Sequence, residues 1–360
     1  MTYGVYVHIP YCPAICPYCD FNVVRRREPP WVEFAKAVVD ELEQRRSSFT
    51  GEVRTLYFGG GTPSLAPASV IAYIAQAVGG APREVTLEAN PGTVTAASLR
   101  AYKDAGVTRI SLGWQSTHDR LLTTLGRTHT AAQSNEAAIA VKQAGFQSLS
   151  IDLIFAVPGQ TMDCLECDID AVFAIDPEHV SLYGLTYHSR TPFERSLKKG
   201  ALIPVDEATE TAMFERIIDR FVARGYRHYE VSNFAKPTYE AQHNASYWHG
   251  IPYLGLGPGA HSFTGTERWE TVRSVNRYIK DPLQKTFHET LDALDRVRER
   301  ILTGLRLDEG IDLSSSPFDD FTLGVDEAVR QGLAIRDGSW LVPTRKGRLQ
   351  ADTLVAVVAP

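Results

Sequence analysis

Short runs rich in β-branched and aromatic residues alternate, over the first 225 residues, with longer stretches whose apolar residues recur at helical spacing. The strand-like runs cover residues 3–10, 53–60, 84–91, 107–116, 148–159 and 179–189. The helical stretches lie near residues 32–48, 66–78, 94–105, 130–144, 161–175 and 206–224. This pattern predicts six successive β/α units, which form a parallel sheet with right-handed crossovers.

Polar, glycine or proline residues close each strand-like run, as in "GGGTPS", "EANPGT", "GWQS" and "DLIFAVPGQT". In β/α barrels, the loops that follow the strands build the functional site. We therefore predict an α/β fold in which residues 1–225 form a partial (β/α)6 TIM-like barrel. A doubly wound sheet is the alternative.

After residue 225, predicted short strands and loops replace the alternation of strands and helices. We expect residues 226–287 to be appended strands and loops that complete the barrel. The run "LDALDRVRERILTGL" is then typical of a helix, and "GLAIRDGSWLVPT" of a hairpin that turns at Asp337-Gly338. Residues 288–360 are accordingly predicted to form a small C-terminal winged-helix-like domain.

Net charge, apolar runs and cysteine content indicate which partners and which cellular compartment to expect. The 360 residues carry a formal net charge of -6, which argues against a nucleic-acid partner bound through a broad positive surface. The chain starts without a basic leader before an apolar stretch, and it lacks an apolar run of about 18 residues, so we expect a cytoplasmic protein. Its five cysteines are an odd number, which favours reduced thiols over a disulfide framework.

Three of the cysteines, Cys12, Cys16 and Cys19, follow a C-x3-C-x2-C spacing within one short loop. Thiolates are soft ligands for iron–sulfur clusters or zinc. A cubane cluster held by three thiolates keeps one iron open, whereas a structural zinc site requires a fourth protein ligand. Both an iron–sulfur centre and a zinc-stabilised barrel without redox chemistry remain open on spacing alone.

The other two cysteines, Cys164 and Cys167, stand three residues apart in a helical stretch. A redox pair or a second metal site would use this spacing, but the chain has no further cysteine to complete such a site. We therefore expect buried or partly buried structural thiols.

The cysteine spacing, with the aromatic Tyr18 just before the last cysteine, resembles the signature of the radical S-adenosylmethionine superfamily. Further segments resemble, in order, the oxygen-independent coproporphyrinogen III oxidase-like family, and within it the heme chaperone (HemW-type) branch. They are "YVHIPYCPAICPYCDF", "YFGGGTPS", "LEANPGT", "RISLGWQS", "LGRTH", "DLIFAVPGQT", "HVSLYGLT", "YEVSNFA", "HNASYW" and "YLGLGPGAHSF".

This resemblance implies a 4Fe-4S cluster on the three cysteines, with S-adenosylmethionine chelating the open iron. Glu88 would accept from the ligand's ammonium group, and Arg127 would pair with its carboxylate. Taken singly, these residues also fit ordinary turns, caps or salt bridges. The positions that match the family's cofactor site are Tyr6, Tyr18, Gly60, Gly61, Thr62, Glu88, Gln115, Arg127 and Asp152, the glycines offering close backbone approach and Gln115 and Asp152 holding the ribose.

The segment "HNASYW" resembles the heme-binding motif of the chaperone branch. His243 would supply an axial imidazole, and Tyr247 and Trp248 flat faces for the macrocycle. A packed turn, with Asn244 capping a short helix, is the alternative. The chain also departs from the family at Ala156, where glycine is frequent, and at His188, where an acidic residue is usual; we expect the first to be a small steric change.

Within the family that the chain resembles, two features distinguish the heme chaperone branch from the oxidase. Phe21 stands where the oxidase has a further cysteine, and the first cysteine comes at residue 12, without the oxidase's longer amino-terminal extension. We expect a heme chaperone that lacks the oxidase activity, with oxygen-independent coproporphyrinogen III oxidase as the alternative. The implied partners are a heme-acceptor protein and a reductant such as a flavodoxin or ferredoxin, with peripheral membrane contact during heme delivery as a further expectation.

Overall fold

The computed structural model describes residues 2–314, 318 and 321–359. All six predicted β/α units are present, and their strands β1, β4, β5, β6, β7 and β8 lie side by side and parallel. The strands of the first 225 residues are β1 Thr2–Ile9, β2 Tyr11–Cys12, β3 Val24–Arg25, β4 Glu52–Gly60, β5 Glu84–Ala89, β6 Arg109–Gln115, β7 Ser148–Phe155 and β8 His179–Gly184.

The predicted helices of these units are confirmed as well, and they pack against the sheet. Thr95, Thr130 and Thr161 cap helices with their hydroxyls, which explains why those helices begin where they do. The helices are α1 Trp31–Arg45, α2 Ala68–Val78, α3 Ala96–Asp104, α4 Asp119–Thr124, α5 Ala131–Ala144, α6 Met162–Ile175, α7 Pro192–Lys198 and α8 Glu207–Ala223, with short 3-10 turns at Arg46–Ser48, Pro63–Leu65 and Pro91–Thr93.

Additional strands extend the parallel sheet on both sides. Strand β11 lies parallel beside β1, and β12, β13 and β14 continue from it in antiparallel order, while β10 and β9 extend the sheet beyond β8. The described edges β14 and β9 do not pair, so this is the predicted partial barrel. The elements are β9 Arg227–Glu230, β10 Asn233–Ala235, α9 Gln242–Trp248, β11 Tyr253–Leu256, β12 His261–Phe263, β13 Glu267–Thr271, α10 Val275–Lys280 and β14 Lys285–Thr290.

The C-terminal part has a hydrophobic core of its own. Val297, Ile301 and Leu354 belong to this core, whereas the barrel's core draws on residues up to Tyr278. The hairpin turns at Asp337-Gly338 as predicted. The elements are α11 Ala293–Gly304, β15 Ile311–Asp312, α12 Thr322–Arg330, β16 Ala334–Asp337, β17 Trp340–Pro343, α13 Arg345–Leu349 and α14 Ala351–Val358, with the strands ordered β15-β17-β16.

Helix length and polarity bear on membrane insertion. Over the described part of the chain, we find no helix with both the length and the apolar character that a bilayer crossing requires.

Candidate functional site

A cavity of about 380 Å³ opens at the carboxyl ends of the parallel strands, and we call it the strand-end cavity. Strands β4 to β8 and the cysteine loop that follows β1 line it, as expected for a β/α barrel. The predicted site residues that line it are Cys12, Cys16, Tyr18, Cys19, Gly60, Gly61, Thr62, Glu88, Gln115, Arg127, Asp152 and Asn244.

The cysteine loop is fixed at its base and along its length. The parallel pairing of β2 with β3 joins Cys12 to Arg25, which closes the loop. Gly61 lies so close that a Cβ there would stand 2.9 Å from Cys12 Sγ and 2.7 Å from a backbone oxygen. Gly126, at φ +69°, approaches Pro17 in the middle of the loop. Glycine at both positions therefore lets the neighbouring chain cradle the loop.

The three thiols share the strand-end cavity and carry no disulfide. Burial raises the pKa of Cys12 to about 11 and also raises that of Cys19, so without a metal these groups are neutral at pH 7. Among residues 2–314, 318 and 321–359, no three acidic, histidine or cysteine side chains are grouped to hold one metal ion. Three thiols in one short loop match in number and chemistry the thiolate donors of a cubane cluster that keeps one iron open.

Glu88, at the end of β5, accepts two hydrogen bonds. Its Oε1 accepts from the Tyr57 hydroxyl at 2.8 Å, and its Oε2 accepts from the Gly60 amide at 2.9 Å. Burial is the main cause that raises the pKa of Glu88 to about 7. Near neutrality the group is therefore divided between its neutral and ionised forms, and a bound cation would favour the ionised form.

This raised pKa predicts a pH dependence of S-adenosylmethionine affinity. If Glu88 accepts from the ligand's ammonium group, as the resemblance implies, the ionised form binds better, so affinity should be full above pH 7 and fall as the pH drops below it, up to about tenfold per unit. Calorimetric titration of wild type and Glu88→Gln between pH 5 and 8 checks this. The ligand's own titration is common to both proteins, so an equal slope in the two would contradict the role of Glu88.

Asp152, on β7, is a second half-buried carboxyl group in the cavity. The Ser111 hydroxyl donates to its Oδ2 at 2.8 Å, and the Ser150 hydroxyl donates to its Oδ1 at 3.3 Å. Burial raises the pKa of Asp152 to about 6, and the serine hydrogen bonds partly offset the effect. The serines orient this carboxyl group toward a cavity in which it can still accept from ligand hydroxyls.

Arg127 is half-buried in the cavity wall and has no carboxylate partner among the described residues. One guanidinium nitrogen donates to Asn90 Oδ1 at 3.1 Å, and its Nε has no hydrogen-bond partner. The guanidinium also stands 6.0 Å from the centre of the Tyr18 ring. A half-buried and incompletely paired guanidinium group has lost part of its hydration, so this site has the electrostatics to receive an anionic group.

Two residues of the strand ends adopt the left-handed region that normally favours glycine. Gln115 has φ +72° at the end of β6, which aims its side chain into the cavity near Gly113. Ala156, after β7, has φ +58°. The change from the family's frequent glycine is therefore not the small steric change we expected, because its main effect is on backbone conformation.

A larger cavity of about 770 Å³ lies beside the first, and we call it the interdomain cavity. Gly60, Glu88, Asp20 and Phe21 border both cavities. Tyr6 lines the interdomain cavity and does not reach the strand-end cavity, although the sequence placed it near the cofactor. Its hydroxyl bonds to His8 Nδ1 at 3.0 Å.

The "HNASYW" segment forms helix α9, and its residues face in different directions. His243 is buried, with Nδ1 bonded to Thr55 Oγ1 and Nε2 to the Tyr247 hydroxyl, both at 2.8 Å. Tyr247 and Trp248 line the interdomain cavity. Asn244 is not the helix cap, which is Ala241. His243 would have to lose the Tyr247 bond before it could coordinate a metal.

Asn90 is a residue of the site that the sequence pattern did not single out. Asn90 bridges Arg127 and Thr62, since its amide also donates to Thr62 Oγ1 at 3.1 Å. It follows Glu88 by two positions, so strand alternation could have identified it. His188 lines the strand-end cavity with Nδ1 3.3 Å from Asp20. Cys164 is half-buried and Cys167 exposed, so the expectation of a buried thiol is wrong for Cys167.

Comparisons with known proteins identify two regions of the chain. Residues 6–172 match the radical SAM superfamily, and residues 291–349 match the HemN C-terminal domain. The Lactococcus lactis protein named heme chaperone HemW is 36% identical over 86% of this chain and 82% of its own length. The HemW of Bacillus subtilis is 34% identical over 86% and 84%, and that of Escherichia coli 32% over 98% and 97%.

A solved structure resembles the whole fold. Coproporphyrinogen III oxidase (HemN) from Escherichia coli, described as a radical SAM enzyme, superposes with a TM-score of 0.86 over 99% of this chain and 90% of its own. The sequences are 21% identical, so this likeness concerns the fold. It confirms the predicted barrel with a C-terminal domain.

Proposed function

The chain belongs to the family of the heme chaperone HemW, within the radical SAM superfamily, and from this membership we propose that it binds heme and transfers it to an acceptor protein. The observation that carries the proposal is the interdomain cavity. Its volume of about 770 Å³ is within the range of ligand sites, and aromatic side chains border it. Tyr247, Trp248, Tyr253 and Phe263 offer flat apolar surfaces that suit a macrocycle.

The strand-end cavity is where we place the cofactors. Cys12, Cys16 and Cys19 would hold a 4Fe-4S cluster, which supplies one-electron redox chemistry and an open iron for the amino and carboxylate groups of S-adenosylmethionine. Arg127 supports this proposal, because it has no carboxylate partner among the described residues and a guanidinium group fits the carboxylate of that ligand. Glu88 would orient the ammonium group, and Asp152 the ribose hydroxyls.

Phe21 favours a carrier over an oxidase. Its side chain is 65% exposed and borders both cavities, at the position where the resemblance places a further cysteine in the oxidase. A phenyl ring there supplies apolar contact surface and no thiol. Ile15 of the same loop is 49% exposed, so the loop is accessible to the reductant of flavodoxin or ferredoxin type that completes the proposal.

A paired assay tests the function. The reconstituted protein is titrated with heme under anaerobic conditions, and the same preparation is incubated with coproporphyrinogen III, reductant and S-adenosylmethionine. We expect a saturable Soret change, loss of bound heme to an apo-hemoprotein acceptor, and no decarboxylated product. Propionate decarboxylation, or failure to bind heme, would contradict the chaperone assignment.

A further inference from the structure

The interdomain cavity is bounded by a sheet face and a helix face. On the sheet, Tyr253 pairs with Phe263 and His261 pairs with Glu270, so their side chains share one face of β11, β12 and β13. On the helix, the lining residues of α11 recur at spacings of three and four: Arg296, Glu299, Arg300 and Thr303. The cavity therefore lies where the C-terminal helix α11 faces the extended sheet.

Most charges in this cavity are paired. Arg268 contacts Glu299 at 2.5 Å and Glu289 at 3.2 Å, and Arg273 lies 3.5 Å from Glu270. Glu88 is bonded to Tyr57 and Gly60, and the remaining acid, Asp20, lies 3.3 Å from His188. Each acidic group that borders the cavity therefore already has a partner.

Arg296 and Arg300 are the exception, because neither has a carboxylate within ion-pair distance in the described part of the chain. Arg296 donates to the Asp292 carbonyl at 3.3 Å, and Arg300 donates to the Trp248 carbonyl at 3.0 Å. Their spacing of four residues puts the two guanidinium groups on adjacent turns of one helix face. Arginine binds carboxylates as a planar fork, so this pair can receive two neighbouring anionic groups.

We propose that Arg296 and Arg300 bind the two propionates of the cargo heme, with the macrocycle in the interdomain cavity between α11 and the β11–β13 face. The inference rests on the proposed function and adds the residues that recognise the ligand. Trp248 follows as a contact of the macrocycle, since Arg300 already bonds to its backbone at the cavity wall.

With the macrocycle in the interdomain cavity, the heme iron would be coordinated by an imidazole that lines this cavity. His249 and His261 both line it, and their ring nitrogens make no hydrogen bond to the described residues. The carboxylate contacts of His249 and His261 are at 3.6 Å and 3.7 Å. Both rings are partly exposed, whereas His243 and His8 have both ring nitrogens bonded. One member of the His249–His261 pair therefore coordinates the iron.

The arginine pair is tested with heme and with heme dimethyl ester, whose carboxylates are blocked. We expect Arg296→Gln/Arg300→Gln to weaken heme binding about 100-fold or more, since each charged hydrogen bond contributes roughly tenfold or above. Binding of the ester should be weak and unchanged by the substitutions. Arg298→Gln, exposed on the same helix and outside the cavity, is the matched control and should bind heme like wild type.

The outcomes distinguish failure of the proposed function from failure of the arginine assignment. If wild type does not bind heme, the proposed function fails. If wild type binds heme and the double variant binds it equally well, or loses the ester in the same proportion, the arginine assignment fails. S-adenosylmethionine binding, measured in parallel, should be retained in the double variant, which shows that the chain is folded.

The iron ligand is tested by the position of the Soret band of bound heme, with iron-free protoporphyrin as the control ligand. His249→Ala/His261→Ala should lose the imidazole-ligated Soret band yet still quench the fluorescence of iron-free protoporphyrin, and the single variants identify the ligand. The assignment would be overturned if His243→Ala lost the imidazole-ligated Soret band while His249→Ala/His261→Ala kept it.

Discussion

Serine at any one of Cys12, Cys16 or Cys19 is expected to abolish the iron–sulfur cluster. In the proposed site the three thiolates would be the whole protein ligand set, and the loop has no fourth cysteine that could replace a lost ligand. After anaerobic reconstitution, wild type should show charge-transfer absorption and about four irons per chain. Each variant should show neither, and should no longer bind S-adenosylmethionine through the open iron.

Cys164 and Cys167 provide the matched control for this experiment. They lie on α6, outside both cavities, and Cys164 is bonded locally to Thr161 at 3.3 Å. Cys164→Ser/Cys167→Ser should therefore retain the absorption and iron content of wild type. Zinc in place of iron in the purified wild type, or iron retained by Cys16→Ser, would contradict the three-thiolate cluster.

Glutamine at Arg127 is expected to remove most of the affinity for S-adenosylmethionine. Loss of one partner from a buried charged pair costs about 2–5 kcal/mol, a factor of roughly 30 to 5,000 in the dissociation constant. Lysine should give an intermediate affinity, because an ammonium group keeps the charge but not the planar fork. Equilibrium dialysis against the labelled ligand measures the constants.

Thermal unfolding distinguishes this effect from misfolding. In the ligand-free protein Arg127 is a half-buried cation whose Nε has no partner, so Arg127→Gln should not lower the unfolding temperature. Arg100→Gln, at an exposed position on α3, should match wild type in both measurements. A large drop in stability together with the lost affinity would show that Arg127 supports the fold and not the ligand.

The barrel could be predicted from the sequence because its determinants are local. Strands β4 to β8 are rich in β-branched, leucine and aromatic residues, and polar, glycine or proline residues follow soon after each apolar run. The family resemblance indicated Glu88 and Asp152; Glu88 does lie near the end of β5, whereas Asp152 lies in the middle of β7. The short helices α4 and α7 were missed because each lies inside a loop and is too brief to show helical periodicity.

The interdomain cavity could not be predicted, because it depends on how distant segments pack. Its wall combines Tyr6 on the first strand with Thr303 on a C-terminal helix, and no local pattern links them. The position of His243 has the same origin: its bond to Thr55 joins residues 188 apart in sequence. A motif can indicate that an imidazole is present, but the tertiary contacts decide whether its nitrogens are free.

The wall shared by the two cavities would couple the binding of heme to the binding of S-adenosylmethionine in the proposed sites. Phe21, Gly60 and Glu88 each border both sites, so a ligand that reorders them in one site changes the free energy of binding in the other. By reciprocity, the factor by which S-adenosylmethionine changes heme affinity must equal the factor by which heme changes S-adenosylmethionine affinity. Uptake and release of the cargo would thus follow the occupancy of the cofactor site, as in a two-ligand linkage cycle.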